Sequence, residues 1–173
     1  EMSLVGAIKK MAQDYVGANN LNLLVPSGQY GTRNMGGKDA ASERYIQTYL
    51  EILTPLIYRP IDNDILEYNF DDGVKIEPKL YAPIIPMLLV NGTAGIGTGF
   101  MSDVTKYDVL DVIKIVEQKL QDKVPNFDIL PHFKGFTGSV LRSNDPGTFL
   151  IYGKYQIVNE TTIRITELPI GSK

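Results

Sequence analysis

The stretch Gly28-Gln-Tyr-Gly-Thr-Arg-Asn-Met-Gly-Gly-Lys-Asp-Ala-Ala-Ser-Glu-Arg-Tyr45 gathers the side chains best suited to chemistry on a phosphate. Glycine and small side chains let backbone N–H groups approach a ligand closely. Arg33, Lys38 and Arg44 are matched to phosphate oxygens. A tyrosine delivered at the end of such a loop is a candidate nucleophile toward a phosphodiester. The plainer alternative is that Tyr45 is one more packed aromatic among ten tyrosines. Arg44 beside it and the cationic loop before it weigh toward chemistry.

Other candidate sites read less sharply. The segment Gly31 to Lys38 resembles a P-loop, but five residues instead of four separate its first glycine from Gly37-Lys38, and Asp39 stands where Ser or Thr should ligand magnesium. Gly95-Ile-Gly-Thr-Gly99 lacks the two-residue gap of a dinucleotide fingerprint. Within that second loop Ile96 is a bulky β-branched residue flanked by glycines. It either packs back on the core or stands out as an apolar wedge of the kind that enters a base step and kinks DNA. His132, the sole histidine, reads as a packed or surface residue. The acidic residues at 62–72 lack the spacing of a calcium loop and read as a solvated turn.

Several elements must position these groups. Leu4, Val5, Ile8, Met11, Ala12 and Tyr15 recur at three- and four-residue spacing and predict an amphipathic helix over 2–16, ended by Gly17. Ser3, Lys9, Lys10 and Gln13 fall on its other side. A short strand is expected at Leu21–Val25, and a strand followed by a short helix from residue 45. Asp71-Asp-Gly73 predicts a hairpin turn between 66–70 and 74–76. Residues 82–90 read as a buried strand, and the next helix carries Val109, Val112, Ile113, Val116 and Leu120 on one stripe. Thr105 is its expected cap, with Asp108 in the first turn. Beyond Pro131 the pattern is all-β, with strands at 148–152, 155–158 and 162–166.

Of the 173 residues 43% are hydrophobic, enough for a real core, and no apolar run is long enough to span a membrane. The absence of cysteine excludes disulfides and thiolate metal sites. With no signal peptide visible, an intracellular protein is expected. Net charge is −3, yet residues 1–45 hold five Lys/Arg against four Asp/Glu while the rest hold twelve against sixteen. A DNA surface confined to the first part is allowed. The chain opens on Glu1-Met-Ser-Leu already in helical register, and so reads as a piece of a longer protein.

The loop Gly-Gln-Tyr-Gly-Thr-Arg…Gly-Gly-Lys-Asp-Ala-Ala-Ser-Glu-Arg-Tyr, the run Ile84-Ile-Pro-Met-Leu-Leu-Val-Asn-Gly-Thr-Ala-Gly-Ile-Gly-Thr-Gly99 and Ile165-Thr-Glu-Leu-Pro169 together resemble the breakage-reunion region of eukaryotic-type DNA topoisomerase II. The likeness is collinear over the whole chain. It implies an α+β fold: the C-terminal part of a winged-helix domain over 1–58, then an incomplete, mixed β-rich tower domain over 59–173 with one clear amphipathic helix. It also implies an ATP-dependent enzyme that makes a transient double-strand break, passes a second duplex and religates. Tyr45 would attack the phosphodiester and hold the 5′ end, Arg44 would stabilise the transition state, and Ile96 would intercalate to bend the DNA. Ser3 would contact DNA near the start of the first helix, with Arg33 and Lys38 on phosphates. Duplex DNA and a second copy of the chain are the implied partners, with no membrane. Mg2+ would be bound by a TOPRIM domain and ATP by an ATPase domain, both outside this chain. A cellular enzyme would work in the nucleus, a viral one in the host nucleus or cytoplasm.

The implied chemistry is coherent physically. An ordinary phenol has a pKa of about 10, so attack near neutral pH needs a base or an electrostatic push. Transesterification keeps the bond energy in the phosphotyrosine, and religation then needs no further energy source. The sequence also departs from the family. The histidine base of its His-His-Gly-Glu motif would precede Glu1, so residues 1–173 alone are expected to bind DNA weakly and cleave nothing. Glu43 is acidic where some relatives have proline or alanine; it either slows cleavage or points to solvent. Leu80 and Phe100 replace tryptophans usual in cellular relatives and point to a divergent lineage such as a large DNA virus. The competing function is a non-catalytic DNA-bending module that kept the wedge and lost the chemistry.

Overall fold

The computed structural model describes residues 2–125 and 127–172. Helix α1 spans Met2–Ala12, shorter than the periodicity suggests, and Gly17 lies in a turn with φ +91°. Its stripe is only partly covered: Ala12 is fully buried, whereas Leu4 and Met11 are exposed. Between residues 23 and 51 the chain forms a loose antiparallel pair with two isolated bridges, Leu24 to Leu50 and Ser27 to Gln47, in place of continuous strands. Thr54 closes that pair by donating from Oγ1 to the Leu23 carbonyl at 2.6 Å, at the start of helix α2, Thr54–Ile57.

The hairpin β1 (Tyr68–Asp71) and β2 (Val74–Pro78) turns at Asp72 and Gly73, whose φ values of +47° and +79° make the two-residue turn that matches strand twist. The expected buried strand over 82–90 is absent. Pro86 instead precedes a short helix α3, Met87–Asn91, and Ile84 is exposed. The apolar run reflects helix packing: Ile85, Met87 and Val90 join Ile57 and Val112 in the main core, with Leu21, Leu23 and Tyr107 packed around it. Strands β3 (Thr93–Gly97) and β4 (Phe100–Val104) form the next hairpin. Helix α4 spans Val109–Leu120 and is capped by Asp108, whose carboxylate accepts from Leu110 N at 2.9 Å. Asp108, not Thr105, is therefore the cap, because its side chain sits at the residue before the first helical turn.

The remainder is β, as expected: β5 (Ser139–Arg142) pairs with β6 (Phe149–Tyr152), and β7 (Lys154–Asn159) with β8 (Thr162–Glu167). Strand β5 has no counterpart among the sequence expectations. Among the described residues the strands form four separate two-stranded antiparallel sheets that do not merge. This mixed α+β arrangement is the expected fold class.

Candidate functional site

The glycine-rich loop is moulded onto α1. Gln13 Nε2 donates to the Tyr30 carbonyl at 2.9 Å, and Lys9 Nζ to the Ala41 carbonyl at 2.8 Å. Lys9 lies in the last turn of α1 and Gln13 just past its end, its N–H still bonded to the Lys9 carbonyl at 3.1 Å. Inside the loop Asp39 binds Thr32 twice, accepting from its N–H at 2.8 Å and its hydroxyl at 2.7 Å. The Thr32 hydroxyl and then its N–H hold the Asp39 carboxyl below its ordinary pKa. Asp39 is thus the loop's internal brace, which accounts for an acid where a P-loop would need a hydroxyl. Two glycines are required by close approach. A Cβ on Gly31, at φ +101°, would stand 2.5 Å from Gly37 Cα, and one on Gly37, at φ +77°, would meet the Gln13 amide and stand 2.7 Å from the Tyr15 hydroxyl.

The loop delivers a 3₁₀ turn over Glu43–Tyr45. Beyond it the backbone joins the antiparallel pair through Gln47 and Ser27, and buried Tyr30 donates from its hydroxyl to the Gln47 carbonyl at 2.8 Å. Tyr45 itself is 71% exposed, so its side chain is not sealed in the core. The Arg44 guanidinium lies 5.0 Å from the Tyr45 ring centroid, within cation–π range. Glu43 turns to Lys9, with carboxylate and ammonium 3.7 Å apart. Its own backbone N–H and then Lys9 hold the carboxyl below the ordinary value. Solvent screens this exposed pair, so it adds little to stability, but it directs the Glu43 charge toward α1. The site therefore presents an open phenol with a cation stacked on it.

The other sequence candidates fall in three places. Lys38 is exposed on the same loop, and Ser3 is exposed in the first turn of α1. Ile96 is 89% exposed on the β3–β4 hairpin, where every residue from 93 to 103 is exposed, so it does not pack back on the core. Its cross-strand partner Met101 is also exposed. Arg33 is turned away, ion-paired with Glu167 and donating to the Leu168 carbonyl at 2.6 Å. His132 is half-exposed with Nε2 3.5 Å from the Asp108 carboxylate, a neighbour that sequence spacing does not reveal.

A polar joint that no local sequence pattern marks lies at the base of the β3–β4 hairpin. Asn91 exchanges hydrogen bonds with the backbone of Leu21 at 2.8 and 2.9 Å. Asn20 Nδ2 lies 2.8–3.0 Å from the carbonyls of Val90, Tyr107 and His132. Lys106 donates to the carbonyls of Gly17 and Ala18, and its burial lowers the ammonium pKa. Asn19-Asn20 reads only as a turn signal in sequence. The partners of Asn20 lie 70 to 114 residues away, beyond the reach of local pattern.

A family model for the A-type subunits of DNA gyrase and topoisomerase IV matches residues 1–173. The chain is 46% identical over 171 residues to a DNA topoisomerase 2 of Drosophila melanogaster, covering 99% of this chain and 12% of that protein. It is 44% identical over 170 residues to a DNA topoisomerase 2-alpha of Homo sapiens, covering 98% of this chain and 11% of the relative. The structure is similar to the Plasmodium falciparum topoisomerase II DNA-binding, cleavage and re-ligation domain, with a TM-score of 0.90, 42% identity, and coverage of 98% of this chain and 23% of that one. The chain thus spans only a small part of the relatives' length. On the match across all its residues, it belongs to the family of DNA gyrase and topoisomerase IV A-type subunits.

Proposed function

We propose that this chain is the tyrosine-bearing part of a type II DNA topoisomerase, acting on duplex DNA as a dimer inside the cell. The observation that carries this reading is the open Tyr45 phenol beneath the Arg44 guanidinium. In the forward step the Tyr45 oxygen bonds to phosphorus and the bond to the 3′ oxygen breaks. The phenolic proton goes to a base, and the 3′ oxygen gains a proton as it leaves. The product is a 5′-phosphotyrosine, and reversal reseals the strand. Arg44 stabilises the charge that builds on the non-bridging oxygens. Lys38 binds a phosphate, Ser3 contacts DNA near the start of α1, and Ile96 enters a base step of the bent duplex.

In this reading Mg2+ is held by a TOPRIM domain and ATP by an ATPase domain, both outside this chain. Among the described residues no group of three His, Asp or Glu side chains could hold a metal ion. Glu1, matched to the last residue of the His-His-Gly-Glu motif, also lies outside the described residues. Residues 1–58 supply the cleaving tyrosine and 59–173 the wedge and arm support. The Ile57–Ile85–Val112 core ties the two parts into one body.

Detergent quenching of the full-length protein on duplex DNA tests this reading. A covalent protein–DNA adduct is expected with the wild type and none with Tyr45→Phe. An adduct that survives in Tyr45→Phe rejects the nucleophile. The exposure of Ile96 keeps a second reading in play: DNA bending by wild type with no adduct would favour a non-catalytic bending module.

A further inference from the structure

Arg33 sits in the loop that leads to Tyr45, in a 3₁₀ turn over Arg33–Met35. Its neighbour Thr32 is held by Asp39 at two points. Its guanidinium does not face outward with Lys38. One arm pairs with the Glu167 carboxylate and the other donates to the Leu168 carbonyl. The second Glu167 oxygen accepts from the Thr137 hydroxyl at 2.8 Å and the Thr137 N–H at 3.2 Å. The Glu167 side chain is 9% exposed and that of Arg33 25%, so the pair is largely shielded from water. Both carboxylate oxygens are occupied, which fixes the side chain in one geometry. Arg33 and Thr137 together hold the carboxyl below its ordinary value.

We propose that Glu167 is a positioning residue that acts through Arg33, bracing the loop that carries Tyr45 against the end of strand β8 and the 137 turn. Arg33 is then a strut and not a phosphate ligand. The connection runs from Glu167 to Arg33, through the Thr32–Asp39 brace, and along the loop whose Ala41 N–H donates to the Gln29 carbonyl at 2.9 Å. Two residues after Ala41 the 3₁₀ turn of Tyr45 begins. An ion pair between residues 134 apart thus links the last hairpin to the nucleophile. This inference rests on the functional reading above and adds residues to the same site.

Two measurements on the full-length protein test it: the salt dependence of DNA affinity, and the single-turnover rate of adduct formation at saturating DNA. Each phosphate contact contributes about 0.9 to the slope of log affinity against log salt. The strut predicts that Arg33→Ala keeps the wild-type slope, whereas Lys38→Ala lowers it by about 0.9. Arg33→Ala and Glu167→Gln should each slow adduct formation at least fivefold with affinity unchanged. Their double variant should be no slower than either one, because both remove the same interaction. The exchanged pair Arg33→Glu with Glu167→Arg should recover part of the rate. A slope lowered in Arg33→Ala together with a wild-type rate in Glu167→Gln overturns the strut, as do losses that multiply in the double variant. Absence of any wild-type adduct would sink the functional reading, and the slopes alone would then decide whether Arg33 meets phosphate.

Discussion

Arg44 reaches Tyr45 from the adjacent position in the chain, and the 3₁₀ turn lets the two side chains stack instead of diverging. That geometry holds a cation at the phenol before any DNA arrives, so little reorganisation is needed when charge builds on phosphorus. Lysine is a poor substitute because an ammonium lacks the planar, forked donors that span two phosphate oxygens. Arg44→Ala should therefore lower the single-turnover rate of adduct formation by about 10²–10³-fold while DNA affinity changes little. An affinity loss with an unchanged rate would assign Arg44 to binding alone. The juxtaposition of the two side chains can be read from sequence because they are adjacent and end a glycine-rich cationic segment. The Glu167 partner of Arg33 cannot, since nothing local marks a contact across 134 positions.

At the scale of elements, the β3–β4 hairpin is a two-residue turn at Thr98-Gly99 with Ile96 opposite Met101. Directly paired residues share a face of the ladder, so the two apolar side chains stand together near the tip. The polar joint of Asn20, Asn91 and Lys106 ties down the hairpin's base, as the proposed wedge role of Ile96 requires. Ile96→Ala should reduce the bend measured by energy transfer across a doubly labelled duplex, with tyrosine chemistry partly kept. An unchanged bend would remove Ile96 from the mechanism. The Asp71-Asp-Gly73 hairpin was readable because its turn needs two positive φ values that few residues tolerate. The run at 82–90 misled because an apolar stretch of that length fits a buried strand or a packed helix equally well. Pro86 settled it as a helix start, a position where its missing N–H is harmless. Strand β5 went unseen because its two apolar residues, Val140 and Leu141, are adjacent and give neither alternation nor a continuous apolar run.

The whole molecule is unusually open. A compact protein of 19.2 kDa would expose about 8,400 Å² by size scaling, and this chain exposes 12634 Å². The excess of about 4,000 Å² exceeds the roughly 1,600 Å² of a standard protein–protein interface. Paired apolar residues such as Tyr155 with Ile165 and Ile157 with Ile163 stand exposed on the last hairpin. The main buried cluster is small, centred on Ile57, Ile85, Met87, Val90 and Val112, and such an open surface fits the proposed role as one part of a larger DNA-binding assembly. The Tyr45 phenol lies on that open surface. The most direct measurement is to trap the full-length protein on 5′-labelled duplex DNA with Mg2+, digest with nuclease and protease, and sequence the nucleotide-bearing peptide by mass spectrometry. The account predicts a 5′ phosphate esterified to Tyr45. A nucleotide on any other residue, or DNA left intact with no adduct, would contradict it.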